Sequence, residues 1–324
     1  MSTVAIVATG GTIQNTPAGR IPVTDVLAAL PGRYTDPPCL DGVEIVTEEV
    51  SRVASESLTP KDWLGIGRAV AERVRDPQVS GVVVTHGTFT VEETAYFLHL
   101  AVDTQKPVVL AASQRKHGTL GNDGDRNLVE AIRVAAAPSA SGRGVLFVAN
   151  EEIHCAREVT KYNQRPGTFW SLPFGPLGTV ETDRVSLYRT PTRRHTSGSA
   201  FARAETLERA ELPRVDVAVS YAGADATAID AFVAAGARGV VLAGFAYSGR
   251  GTKAQLSALR AAADQGVLVC VASRGRGGRI PAVDDEPWLL HADNLTPQKA
   301  RVILTLIAVG TERGADAQAL LDTH

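Results

Sequence analysis

The sequence predicts an α/β protein: a large N-terminal domain built on a doubly wound, mostly parallel sheet, then a smaller C-terminal α/β domain. Three observations carry this. Short β-branched runs without polar alternation recur at VAIVA (4–8), GVVVT (81–85), PVVLAA (107–112) and GVLFVA (144–149). Each is followed by a Gly-, Thr-, Ser- or Asn-rich turn and a stretch with helical spacing of Ala and Leu, the pattern of parallel strands covered on both faces. The alternation then breaks and restarts at VDVAVSYAG (215–223), GVVLAGF (239–245) and GVLVCVASR (266–274), and a helix is expected from Thr296 to Val309.

The break is the Arg-, Ser- and Thr-rich stretch 186–213, which lacks apolar periodicity and reads as an inter-domain connection between a domain at 1–185 and another at 214–324. Ligands of such sheets sit at the carboxyl ends of the strands, so the turns that follow them are the places to look for chemistry.

Composition narrows the partners. With 33 basic and 35 acidic residues the net charge is −2, which favours neither nucleic acid nor a membrane surface and leaves a small molecule as the expected ligand. Cys39, Cys155 and Cys270 are widely spaced and odd in number, which suits buried small hydrophobes better than a disulfide framework or a zinc set. The opening MSTVAIVATGG enters a strand without a basic start or a cleavage-like site, and no apolar run is of membrane-spanning length, so a cytoplasmic protein is expected.

The first strand ends in ATGGTI, where Gly10 and Gly11 permit a tight turn that presents the Thr12 hydroxyl at the sheet edge. The turn is open to a structural reading, a nucleophile or a nucleotide cradle, though GxGxxG is missing. The second strand ends in THGT, which brings Thr85 and Thr88, with Gly87 between them, to the same edge as Thr12 if the strands are neighbours. Thr90 and Glu93 fit a capping box for the following helix. His86 is open to a general-base or a structural role. Lys161 follows an irregular polar run, and a desolvated lysine near hydroxyls can accept a proton. HExxH, CxxC and GxSxG are all missing, so metal and serine-hydrolase chemistry are not expected.

Taken together, ATGGTI, THGTFTVEETAYF, DGDRNL (123–128), EVTK (158–161) and LTPQKARV (295–302) resemble the bacterial L-asparaginase family, in order and spacing, over nearly the whole chain. The resemblance implies a large and a small α/β domain, a homodimer or homotetramer with sites at subunit contacts, and hydrolysis of a side-chain amide without metal or cofactor. Carried over residue by residue, it makes Thr12 the nucleophile and Thr88 with Lys161 the proton-handling pair. It makes Ser55, beside Glu56, the holder of the substrate carboxylate, and places the turn near Ser113 against the leaving amide.

The departures from the family are as informative. Where relatives carry an aspartate after the second threonine, which pairs with the lysine and receives the substrate's α-ammonium, this chain has Phe89. A glutamate that gives the ammonium a second contact aligns with Ala282, just before Asp284 and Asp285, and the GNGN loop reads AYSGR at 246–250. The loop QNTPAGRIPVTD is short and has no counterpart of the usual tyrosine. Each lost charge-assisted contact is worth about 1.5 to 3 kcal/mol, so two remove roughly 100-fold or more of preference for asparagine.

The expectation is therefore a threonine-nucleophile hydrolase of a small amide, or of a related lactam or ester, that no longer selects an α-ammonium. Glu56, Glu92 or Glu93 could supply the missing carboxylate. The alternatives are an ordinary asparaginase/glutaminase with a rebuilt site and a non-hydrolytic small-molecule binding or regulatory protein.

Overall fold

The computed structural model describes residues 2–30, 40–275, 277–281, 286–310 and 314–324. It divides into two compact units, Met1–Arg209 and Ala210–His324. Ala282, Asp284, Asp285 and Cys39 lie outside the described residues.

The first unit is organised by an eight-stranded sheet. Its strands are β1 (Ser2–Gly10), β2 (Val43–Val53), β3 (Val79–Thr85), β4 (Val108–Ala111), β5 (Val145–Ala149), β6 (Glu152–Cys155), β7 (Gly178–Val180) and β8 (Val185–Leu187). The spatial order is β8-β7-β6-β5-β4-β3-β1-β2. The five strands from β2 to β5 are parallel, and β6, β7 and β8 extend the sheet antiparallel. Val82–Val84, Val108–Leu110 and Leu146–Val148 have no exposed surface, as expected of strands covered on both faces. Helices α1 (Val23–Ala29), α2 (Pro60–Arg75), α3 (Val91–Ala101) and α4 (Gly124–Ala136) provide the crossovers. Apolar side chains of α4, among them Leu128, Ile132 and Val134, join Ile6, Val83 and Val109 in one core.

The connectivity fixes where a ligand can bind. The chain runs from β1 to β2 on one side and then to β3 on the other, so the strand order reverses at β1. At such a reversal the flanking crossovers leave on opposite faces and open a crevice at the carboxyl ends of the strands. The turns after β1, β2 and β3 meet there.

The antiparallel extension and β2 are the strands the sequence pattern did not announce. In β2, VEIVTEEVSRV, Glu44, Glu48 and Glu49 interrupt the apolar residues, because an edge strand has one side open to solvent. The segment 186–213, expected as a connection, packs on the first unit as far as residue 209. Leu207 of the short helix α5 (Ala204–Glu208) is buried, its carbonyl accepts from Arg68, and the His195 ring lies 5.0 Å from that of His99.

The second unit has four parallel strands in sequential order, β9 (Val215–Val219), β10 (Gly239–Gly244), β11 (Leu268–Ser273) and β12 (Leu289–His291). Helices α6 (Thr227–Ala234), α7 (Lys253–Asp264), α8 (Pro297–Ile307) and α9 (Gly314–Thr323) complete it. The expected helix at 296–309 is α8, with the Thr296 hydroxyl accepting from the Lys299 N–H as its cap. Cys155 and Cys270 are buried thiols. Among the described residues no helix is long and apolar enough to cross a membrane, and no group of His, Cys, Asp and Glu is placed to hold a metal.

Candidate active site

A cavity of about 180 Å³ opens at the reversal point, lined by Gly11, Thr12, Asn15, Arg20, Ala54, Ser55, Glu56, Gly87, Thr88 and Phe89. Three consecutive turns supply it. Thr12 begins a 3-10 turn directly after β1, Ser55 begins another after β2, and Gly87 to Phe89 follow β3.

Two glycines explain how the turns come so close. A Cβ on Gly11, whose φ is +85°, would stand 2.5 Å from the Gly87 nitrogen and the His86 carbonyl. A Cβ on Gly87 would stand 2.5 Å from Ser55 Oγ. The turns after β1 and β3 are thus stacked at backbone contact, and the turn after β2 packs its Ser55 side chain against Gly87, which only glycine at these positions allows.

Polar side chains then pin the stack. Gln14 is buried, and its Oε1 accepts from the Gly10 N–H at 3.1 Å and from Thr85 Oγ1 at 2.8 Å. Its Nε2 donates to Glu49 at 3.1 Å and to the Ile21 carbonyl at 3.3 Å. Thr9 donates to the Thr85 carbonyl at 2.6 Å, and Ser51 donates to the Thr9 carbonyl at 3.1 Å. Ser55 Oγ accepts from the Phe89 N–H at 3.2 Å, and Thr90 Oγ1 donates to the Ser55 carbonyl at 2.8 Å. That last bond corrects the expected capping box: Thr90 precedes α3 but makes no side-chain cap, because its hydroxyl is committed to the neighbouring turn.

Lys161 reaches this site from a distant part of the chain. It sits on a two-residue strand, Thr160–Lys161, paired antiparallel with Phe169–Trp170. Phe169, opposite Lys161, is buried against Phe147 of β5 with ring centroids 4.4 Å apart, and Tyr162 stacks on Trp170 at 4.0 Å. So anchored, Lys161 Nζ donates to Thr88 Oγ1 at 2.8 Å and lies 4.7 Å from the centroid of the Phe89 ring. Desolvation holds its pKa below the ordinary lysine value. A cation over an aromatic face gains about 0.5 to 1 kcal/mol at an exposed position, so Phe89 is a weak partner compared with a carboxylate.

The other sequence candidates divide clearly. Thr12, Ser55, Glu56, Gly87, Thr88 and Phe89 share the cavity wall. Of the three glutamates considered as replacement carboxylates, Glu56 is the one on that wall. Ser113 is fully buried, donates to the Arg115 carbonyl at 3.0 Å and does not line the cavity. His86 is structural: burial pushes its pKa down to about 4, and its Nδ1 bonds to the Gly87 carbonyl at 2.7 Å. Sequence reasoning missed Arg20, because an arginine in a short polar loop carries no pattern. What places it is the two-residue hairpin Asn15–Thr16 with Gly19–Arg20.

Comparisons with known proteins identify the family. Residues 3–193 match the model of the asparaginase N-terminal domain, and residues 214–321 match that of the glutaminase/asparaginase C-terminal domain. The chain belongs to the asparaginase family. The chain is 33% identical to the glutaminase-asparaginase of Pseudomonas aeruginosa, over 99% of this chain and 90% of that protein. It is 36% identical to L-asparaginase 2 of Bacillus subtilis, over 99% and 86%. The crystal structure of a probable cytoplasmic L-asparaginase from Campylobacter jejuni superposes with a TM-score of 0.93 at 31% identity, over the whole of both chains. In this asparaginase-family chain Thr12 and Thr88 share one cavity wall, with Lys161 bonded to Thr88 and the Phe89 ring beside it.

Proposed function

We propose that this chain is an asparaginase-type amidohydrolase that uses Thr12 as nucleophile and acts on a small amide lacking the α-ammonium of asparagine. The observation that carries the reading is the hydrogen bond from Lys161 to Thr88 on the wall that also holds Thr12 and Phe89.

In the reaction Thr12 Oγ attacks the amide carbon, and its proton passes to the Thr88–Lys161 pair. Once Lys161 is neutral, the bond at 2.8 Å reverses, so that the amine accepts and the Thr88 hydroxyl donates. Main-chain N–H groups of the glycine turn and of Gly87 and Thr88 stabilise the negative oxygen of the tetrahedral intermediate. The C–N bond then breaks, the nitrogen takes the proton back and leaves as ammonia, and water hydrolyses the ester on Thr12 by the same proton route. Burial of Lys161 serves this chemistry by raising the fraction of neutral amine at a given pH.

Phe89 sets the preference. It is 65% exposed on the cavity wall, offers no acceptor to an ammonium, and leaves Lys161 without a carboxylate at position 89. An apolar or unsubstituted carbon beside the ring loses nothing on binding, whereas an ammonium there exchanges water for the weaker attraction of an aromatic face. Conversion of asparagine or glutamine, named for the relatives, is the second reading and is favoured by the retained threonines and lysine. The test is mass spectrometry of the protein mixed with succinamate, which is asparagine without its amino group. A succinyl adduct on Thr12 that is lost in Thr12→Ala supports the reading, and ammonia release that persists in Thr12→Ala overturns it. We also place the protein in the cytoplasm as a homo-oligomer, the latter open to measurement by sedimentation.

A further inference from the structure

Arg20 brings a charge to the cavity that the reaction itself does not require. The loop after the Thr12 turn folds as a hairpin, with Asn15 paired to Arg20 and Thr16 to Gly19, and Thr16 Oγ1 donates to the Gly19 carbonyl at 2.8 Å. The loop is held at both ends. The Ile21 N–H donates to the Gln14 carbonyl at 2.9 Å, and the Asn15 carbonyl accepts from the His117 N–H at 2.8 Å. His117 is itself fixed by a 2.6 Å contact with the buried carboxylate of Asp125.

At the end of this hairpin one guanidinium nitrogen of the exposed Arg20 donates to the Arg52 carbonyl at the end of β2, and Arg20 lines the cavity together with Thr12, Ser55, Glu56 and Phe89. Glu49, the nearby carboxylate at the edge of the sheet, is engaged by the Arg52 side chain through both of its oxygens. The charged residues of the wall are therefore Arg20 and Glu56. A guanidinium has five N–H donors in a planar fork matched to a carboxylate. The cavity of about 180 Å³ accommodates a ligand of a few carbons.

We infer that Arg20 is a specificity residue that holds the carboxylate of an anionic substrate, so that the site selects the monoamide of a short dicarboxylic acid over both neutral amides and zwitterionic amino-acid amides. This rests on the hydrolase reading for the word substrate, but the recognition of the anion does not depend on turnover. Ser55 and Arg20 then act from two turns on the same end of the ligand, while Phe89 covers the carbon that bears the ammonium in asparagine.

The experiment is calorimetric binding of succinate to the wild-type protein, Arg20→Gln and Arg20→Lys, with ammonia release from succinamate and from butyramide in parallel. The expected result is that succinate binds the wild type and that Arg20→Gln weakens it about 10- to 100-fold, the range for loss of a charge-assisted pair. Arg20→Lys should recover part of that loss, which separates charge from folding, and Arg20→Gln should lower the succinamate-to-butyramide ratio of kcat/KM by about tenfold or more. Equal succinate affinity in wild type and Arg20→Gln, or no succinate binding by the wild type, would overturn the assignment. Arg20-dependent succinate binding by a protein that releases ammonia from neither amide would sink the hydrolase reading and leave the anion site standing.

Discussion

Lys161 stands between two partners of unlike kind: its Nζ donates to Thr88 Oγ1 at 2.8 Å while lying 4.7 Å from the centroid of the Phe89 ring. The first contact couples the amine to a hydroxyl on the cavity wall. The second puts an aromatic face where a carboxylate would hold the lysine charged. Both follow from a distant hairpin that Phe169 anchors into the core.

This pairing sets the direction of a pH dependence. In the proposed reaction Lys161 acts as the neutral amine; its pKa is lowered by desolvation, and the neutral fraction rises as pH rises through that lowered value. Activity should therefore climb on the alkaline side with a midpoint below the ordinary lysine value of about 10.4. In Phe89→Asp a carboxylate next to the ammonium favours the charged form, so the same limb should move to higher pH. A pH profile of kcat/KM for each protein checks this, and an unmoved limb in Phe89→Asp would detach the limb from Lys161.

Phe89→Asp should also change substrate preference. Restoring one charge-assisted contact to an ammonium is worth about 1.5 to 3 kcal/mol, or roughly 10- to 150-fold in relative kcat/KM for asparagine against succinamate. The relevant measurement is the ratio of the two substrates in one preparation, which cancels any loss of active fraction.

Removing the proton route should slow the chemistry without unfolding the chain. Lys161→Met and Thr88→Val are each expected to lower kcat by about 10²- to 10⁴-fold, the usual contribution of general acid–base catalysis. Combined in one variant they should cost little more than either alone, since they act as a unit. Additive losses would mean that the 2.8 Å bond is not a shared proton path.

Much of this was legible in the sequence, and the exceptions have physical causes. Unbroken β-branched runs announced β1, β3, β4 and β5 because those strands are buried on both faces. Edge strand β2 was hidden by its solvent-facing glutamates, and β6 to β8, at most four residues each, are too short to show a period. The meeting of Thr12, Ser55, Thr88 and Lys161 came from resemblance, since residues 73 positions apart in the chain, such as Thr88 and Lys161, leave no local signal. Thr90 and Glu93 had the letters of a capping box, but tertiary contact with Ser55 claimed the threonine. Arg20 gave no sign at all, because its place depends on a hairpin and on one carbonyl of β2.

The stacked turns make a stability prediction. Gly11→Ala adds a Cβ 2.5 Å from the Gly87 nitrogen at a φ of +85°, and the backbone there has little room to move. Overpacking of this kind costs about 1 to 3 kcal/mol, which should appear as a lower urea midpoint at unchanged m-value together with a large fall in activity. Gln14→Ala should destabilise by a similar amount, about 1 to 3 kcal/mol, because it leaves buried donors at Gly10 and Thr85 without their acceptor.

The central claim is that Phe89 has replaced selection for an α-ammonium with selection against it. The most direct measurement is steady-state ammonia release by the wild-type protein from succinamate and from asparagine at the same pH and concentration. A kcat/KM for succinamate about tenfold or more above that for asparagine is expected, the cost of desolvating an ammonium that gains no carboxylate at position 89. Equal rates, or a preference for asparagine, would contradict it.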